Sequence, residues 1–180
     1  MLVLVFGSTA FATATILASF MFGLALGSFC FGRVVDRYGR PLELYAYLEA
    51  GIGVFAILFP FIISGATAIY VGISQNLDTT FYLFSLLRFI LSFLILVIPS
   101  FLMGGTLPVL SKLFVRDFGR LGSGIGSLYG TNTLGAVVGT FSAGFLLIIL
   151  FGAKETTYIA AAVNILVAGV ALGLSRFVPL

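Results

Sequence analysis

The sequence predicts an all-α fold: a polytopic bundle of about five membrane-spanning helices. Three observations carry that expectation. Hydrophobic residues make up 61% of the 180 positions and charged residues only 8%, whereas a soluble domain carries about 25% charge to cover its surface. The apolar runs are continuous rather than alternating, which suits helices and not a lipid-facing barrel. The charged residues gather in short turns between those runs. The whole chain, 1–180, reads as one transmembrane domain with spans at about 9–31, 41–63, 81–111, 122–151 and 158–174.

The first uncharged run, Met1 to Gly32, would be about 46 Å long as one helix and outreach a hydrocarbon core of about 30 Å. Gly7-Ser8-Thr9 offers a helix start, so span A is Thr9–Phe31 and Met1–Phe6 is a stub. Arg33–Arg40 forms a charged turn. Pro41 suits the first turn of span B. Ser64–Thr80, with Gln75, Asn76 and Asp78, reads as a polar loop. In span C, Pro99, Gly104-Gly105 and Pro108 are expected to kink or end the helix. Lys112–Arg120 is a second charged turn, and Gly152–Thr157 a tight one before span E.

Five spans put Arg33, Arg37, Arg40, Lys112, Arg116, Arg120 and Arg176 on one side and leave Lys154 on the other. Basic short loops face the cytoplasm. The expected location is therefore the plasma (inner) membrane, multi-pass, with the Arg33–Arg40 loop cytoplasmic. The formal charge of +3 speaks to this orientation and not to nucleic acid. A single cysteine, Cys30, excludes an intrachain disulfide, and the lack of histidine excludes a Ser-His-Asp hydrolase and a His-rich metal site. No metal or cofactor is expected. The N-terminus has no basic stretch ahead of its apolar run, so it does not read as a cleaved signal.

The run Gly32-Arg33-Val34-Val35-Asp36-Arg37-Tyr38-Gly39-Arg40 is the sharpest motif. Gly32 is expected to let two helices approach. Gly39 can take positive φ in a sharp turn. Asp36 can pair with an arginine or sit at a helix N-terminus. The run resembles the signature loop of major facilitator superfamily transporters, which there joins helices 2 and 3. Gly135-Ala136-Val137-Val138-Gly139-Thr140 is similar to that family's helix 5 glycine motif, with Thr140 in place of the usual proline.

A broader resemblance rests on Phe6-Gly7-Ser8-Thr9, on Met21 to Ser28, on Leu102-Met103-Gly104-Gly105-Thr106-Leu107-Pro108 and on Leu128 to Ala136. These stretches resemble the membrane region of bacterial fused major facilitator superfamily/spermidine synthase proteins, with the five spans corresponding to helices 2–6 of a facilitator half. The resemblance implies a half-transporter-like bundle without the soluble synthase domain, so no aminopropyl transfer is expected from this chain. It also implies that the counterpart of the family's first helix is missing. The exposed face, with Gly23 and Gly27, is then expected to associate with a second copy or with another membrane or synthase protein.

Repeats of glycine four residues apart, Gly23/Gly27, Gly122/Gly126/Gly130 and Gly135/Gly139, allow helix backbones to approach. Tight packing is the favoured role over hinging. Gly122-x-Gly124-x-Gly126 follows no strand and does not read as a nucleotide loop.

Charges inside spans are candidates for function, since each costs about 2.5–3.5 kcal/mol to insert. Glu49 lies about two turns into span B, too short to reach the interface, and is the best proton or cation site. Tyr45, one turn earlier, can share a hydrogen bond with it, and Tyr47 can add an aromatic face for a cation. Arg88, two turns into span C, can snorkel outward. Glu43 is expected to pair with Arg40. Asn132 and Asn164 can bond between helices. The expected function is binding or movement of a small, polyamine-like cation by an oligomer. The alternatives are a non-transporting anchor or regulatory module of a spermidine synthase, or a truncated fragment of one.

Overall fold

A computed structural model describes residues 9–76, 81–114 and 121–177. Among them every element is helical: α1 (Thr9–Tyr38), α2 (Pro41–Asn76), α3 (Phe81–Phe114), α4 (Leu121–Ser142), a π-helical turn (Ala143–Leu147) and α5 (Ile148–Ser175). Four of the helical stretches, Thr13–Tyr38, Pro41–Gly72, Phe89–Leu113 and Gly122–Ser175, are long and apolar enough to cross a membrane.

Several boundaries differ from those expected. The charged segment after span A is mostly helical, because α1 runs on to Tyr38. Only Gly39 turns, with φ 72°, as a glycine just past a helix end does. Pro41 then opens α2, and the Leu44 amide donates to the Arg40 carbonyl at 3.1 Å. The expected polar loop from Ser64 is instead helix as far as Asn76. Its glycines and threonine are spaced singly among apolar residues, and the Thr67 hydroxyl bonds the Ile63 carbonyl at 2.8 Å without opening the helix. Helix α3 likewise passes through Pro99 and Pro108. Two serine hydroxyls next to the prolines bond carbonyls of their own helix, Ser100 to Leu96 at 2.7 Å and Ser111 to Leu107 at 2.8 Å. The tight turn expected at Gly152–Thr157 shrinks to Gly152 alone, which leaves helical dihedrals at φ 85°, ψ 169° and kinks α5. Met1–Phe6 and most of Lys112–Arg120, with Arg116 and Arg120, lie outside the described residues.

The helices do not pack in sequence order. α1 lies along α3, α3 along α2, and α2 along α5. The α1–α3 contact is the closest. A Cβ built at Gly23 would stand 2.5 Å from the Ser100 Cβ and 3.0 Å from the Val97 carbonyl oxygen; one at Gly27 would overlap the Phe101 carbonyl, and one at Gly104 the Leu24 backbone. Two small-residue pairs, Gly23/Gly27 and Ser100/Gly104, thus bring the backbones together, as such pairs do in membranes. The Phe31 and Phe101 rings, 5.1 Å apart, close one end. Val35, Leu44, Leu48 and Val109 form the core between α1, α2 and α3, with Phe31, Tyr45 and Leu102 against it.

The glycine face of α1 is therefore covered within the chain, contrary to the expectation that it is left for a partner. Gly32 is not a point of close approach either, since its nearest neighbour, the Pro108 Cβ, would be 4.0 Å from an added Cβ. Glycines 122, 126, 130, 135 and 139 of α4 face open space. Their helix shows large side chains outward, among them Leu134, Val137, Val138 and Phe141, so the glycine repeats of α4 pack nothing here.

Candidate functional site

Among the described residues Glu49 is the buried acid of the apolar interior, only 9% exposed. Eight residues into α2, it sits about 12 Å from the Pro41 end. Its surroundings follow from helical register. Leu44 and Leu48 join Val109 of α3 in the core, and Gly51 faces Leu102 of the same helix. On the other side, a Cβ at Gly53 would lie 2.8 Å from Ile165 Cδ1 and 3.1 Å from the Ala161 carbonyl oxygen of α5. Glu49 is three residues after Ala46, which is fully buried, and four before Gly53. At 100° per residue these three belong to one stripe, so Glu49 occupies the side of α2 that turns toward α5.

Tyr45, one turn before Glu49, interacts with its carboxyl through the phenol. Tyr47 does not join them. It is 56% exposed on the side that also carries Val54, Leu58 and Phe61, because residues two apart on a helix point nearly opposite ways. Asn132 is exposed on α4 rather than bonded between helices of this chain. Asn164 is half-buried on the face of α5 that carries Ala161, Ala168 and Ala171. The Arg88 side chain lies outside the described residues.

The signature turn sits at the α1–α2 junction. Arg40 Nη1 donates to Glu43 Oε1 at 3.2 Å, as expected. Asp36 accepts from the Lys112 ammonium and, among the described residues, pairs with neither an arginine nor a helix N-terminus. That contact was not foreseen, although both residues end spans on the side expected to be cytoplasmic. It brings the ends of α1 and α3 together, so the two charged turns begin at one end of the bundle. Arg33 folds back along its own helix, its guanidinium carbon 3.5 Å from the Phe29 ring centre and Nη1 3.1 Å from the Phe29 carbonyl. Arg37 is exposed near the last turn of α1.

Chemically, a buried carboxyl beside a phenol can hold a proton or one cationic group. No cluster of three or more Cys, Asp or Glu capable of holding a metal ion occurs among the described residues. The chain matches no protein-family model, no curated protein and no solved structure.

Proposed function

We propose that this chain is a half-transporter-like membrane bundle that binds and moves a small, polyamine-like cation at Glu49. The observation that carries the reading is the burial of that carboxyl, 9% exposed, inside an apolar helix. An acid there costs about 2.5–3.5 kcal/mol even on the lenient insertion scale. An ionisable group kept at that cost inside a span suits a proton or cation site. Tyr45 supplies a second polar group and an aromatic face.

In this reading the kink at Gly152 divides the last long stretch into two spans, giving five. Residues 122–175 as one helix would measure about 81 Å, far more than a bilayer core. The bundle sits in the plasma (inner) membrane with the Arg33–Arg40 turn cytoplasmic, which the basic residues there support. A facilitator-type pathway lies between two bundles, so the working unit is a homo-oligomer or a complex with a separate membrane partner.

The test is uptake of radiolabelled spermidine or putrescine into proteoliposomes. Wild type is expected to accumulate the solute, and Glu49→Gln, which keeps the shape and removes the charge, to lose at least nine-tenths of the rate, or about tenfold. No uptake by wild type, or equal uptake by both proteins, would overturn the proposal.

A further inference from the structure

We infer that the outer face of α1 binds the phosphate of an anionic phospholipid through Arg33 and Arg37. This goes beyond cation movement at Glu49 and does not depend on it.

Helical register separates two faces of α1. Gly23, Gly27, Phe31 and Val35 turn inward: the glycines meet α3, the Phe31 ring meets Phe101, and Val35 is in the core. Phe29, Arg33 and Arg37 each stand two residues from a member of that set, and two residues turn a helix by about 200°. They form an exposed stripe on the opposite side, which Leu26 extends toward the N-terminus.

The stripe passes from apolar to charged. Leu26 and Phe29 belong to the uncharged run that ends at Gly32, and Arg33 is the first charged residue of the chain. On a helix apolar enough to cross a bilayer, that change marks the level where acyl chains give way to headgroups. Around the α1–α2 turn, the other cations are matched. Arg40 is bonded to Glu43 and Lys112 to Asp36. Among the described residues, Arg33 and Arg37 are the cations there without an acidic partner, and they lie one turn apart on one face.

Arg33 is also held in place. Side chains on a helix lean toward its N-terminus, and this one folds back instead of reaching past the helix end. Its guanidinium carbon lies 3.5 Å from the Phe29 ring centre, and Nη1 donates to the Phe29 carbonyl at 3.1 Å. A guanidinium carries further N–H donors in a planar fork that matches two phosphate oxygens. Stacking on the ring fixes the group beforehand, so less side-chain freedom is lost on binding. Arg37 adds a second cation about 6 Å farther along the axis. The paired positive charges select an anion. The exposed Phe29 and Leu26 beside them select one that carries acyl chains, since a free phosphate would use the arginines alone.

The test is lipid selectivity in proteoliposomes. Electron spin resonance reads the share of spin-labelled phosphatidylglycerol held at the protein against spin-labelled phosphatidylcholine. Arg33→Gln and Arg37→Gln are each expected to lower that preference about fivefold, the contribution of one basic residue at an anionic surface. Arg40→Gln removes the same charge from the same turn, but from a residue already paired, and is expected to lower it less than about twofold. All three side chains are exposed, so none is needed for packing. Equal falls in the three variants would mean a diffuse field of positive charge and overturn the site, as would no fall in the first two. Excess inorganic phosphate is expected to leave the held phosphatidylglycerol in place. Its displacement by phosphate would make this a free-anion site and overturn the lipid assignment. No polyamine is present, so failure of transport leaves the result readable.

Discussion

Replacing Gly27 with leucine tests the close approach of α1 and α3 most directly. The first atom added, the Cβ, would overlap the Phe101 carbonyl oxygen and come within 3.1 Å of the Gly104 Cα. Both are backbone atoms of a helix and cannot rotate aside as a side chain does. The helices have to separate, and Gly23 loses its seat against Ser100 and Val97 along with them. Overpacking of this kind costs about 1–3 kcal/mol, and a contact made by backbone belongs at the upper end. For a chain of this size each kcal/mol moves the midpoint by about 2–4 °C, so a fall of about 6–12 °C is expected. Cys30, the only cysteine in the sequence, is half-buried, so a thiol-reactive dye in mild detergent reports unfolding directly. Gly126→Leu is the control: nothing lies within 4 Å of a Cβ there, and its midpoint is expected within about 2 °C of wild type. An unchanged midpoint for Gly27→Leu, or a larger fall for Gly126→Leu, would refute the packing argument.

Gly152→Ala, which forces an L residue to φ 85°, is expected to cost about 1 kcal/mol, seen as a lower midpoint in the same dye assay. The exposed Asp36–Lys112 pair is expected to show a coupling of only about 0.2–1 kcal/mol in a double-mutant cycle, and less at high salt. For orientation, Tyr38→Cys in a Cys30→Ser background places a thiol on a half-exposed surface at the end of α1. An impermeant maleimide should label it in inverted vesicles and not in intact cells. In mild detergent or by crosslinking in native membranes, the protein is expected to appear larger than a monomer, and a monomer by both measures would count against the oligomer.

Composition and continuous apolar runs made the helical, membrane-type architecture legible, and local chemistry placed the break at Gly39 and the start at Pro41. Segment ends were harder to read. Charged and polar residues such as Arg33, Asp36 and Gln75 extend a helix readily once it is nucleated, so polarity marks a change of surroundings and not a change of backbone. Proline in span C misled for a related reason: packing against neighbouring helices lets a helix run on through a proline. The glycine repeats show which faces permit close approach but carry no address. Gly23 and Gly27 fit Ser100 and Gly104, whereas Gly122, Gly126 and Gly130 meet nothing among the described residues. Glu49 stood out because a carboxyl in an apolar run is costly wherever it points. Tyr47 was misplaced beside it, since nearness in sequence outweighed the 200° between residues two apart. The link between Asp36 and Lys112 joins residues on two separate helices, and no local pattern reports it.

The pairing of α1 with α3, across the intervening α2, sets an order of events during synthesis. Gly27 leaves the ribosome well before Gly104, the residue it nearly touches. At about 5–20 residues per second that interval lasts about 4–15 s. Through it the bare glycine groove of α1 stands in the bilayer with no chain of its own to fill it, and α2 inserts alongside without taking the place. The nascent protein therefore passes through a two-helix stage in which its tightest joint is open. Lipid tails or the insertion machinery have to occupy that groove and then give way when α3 arrives.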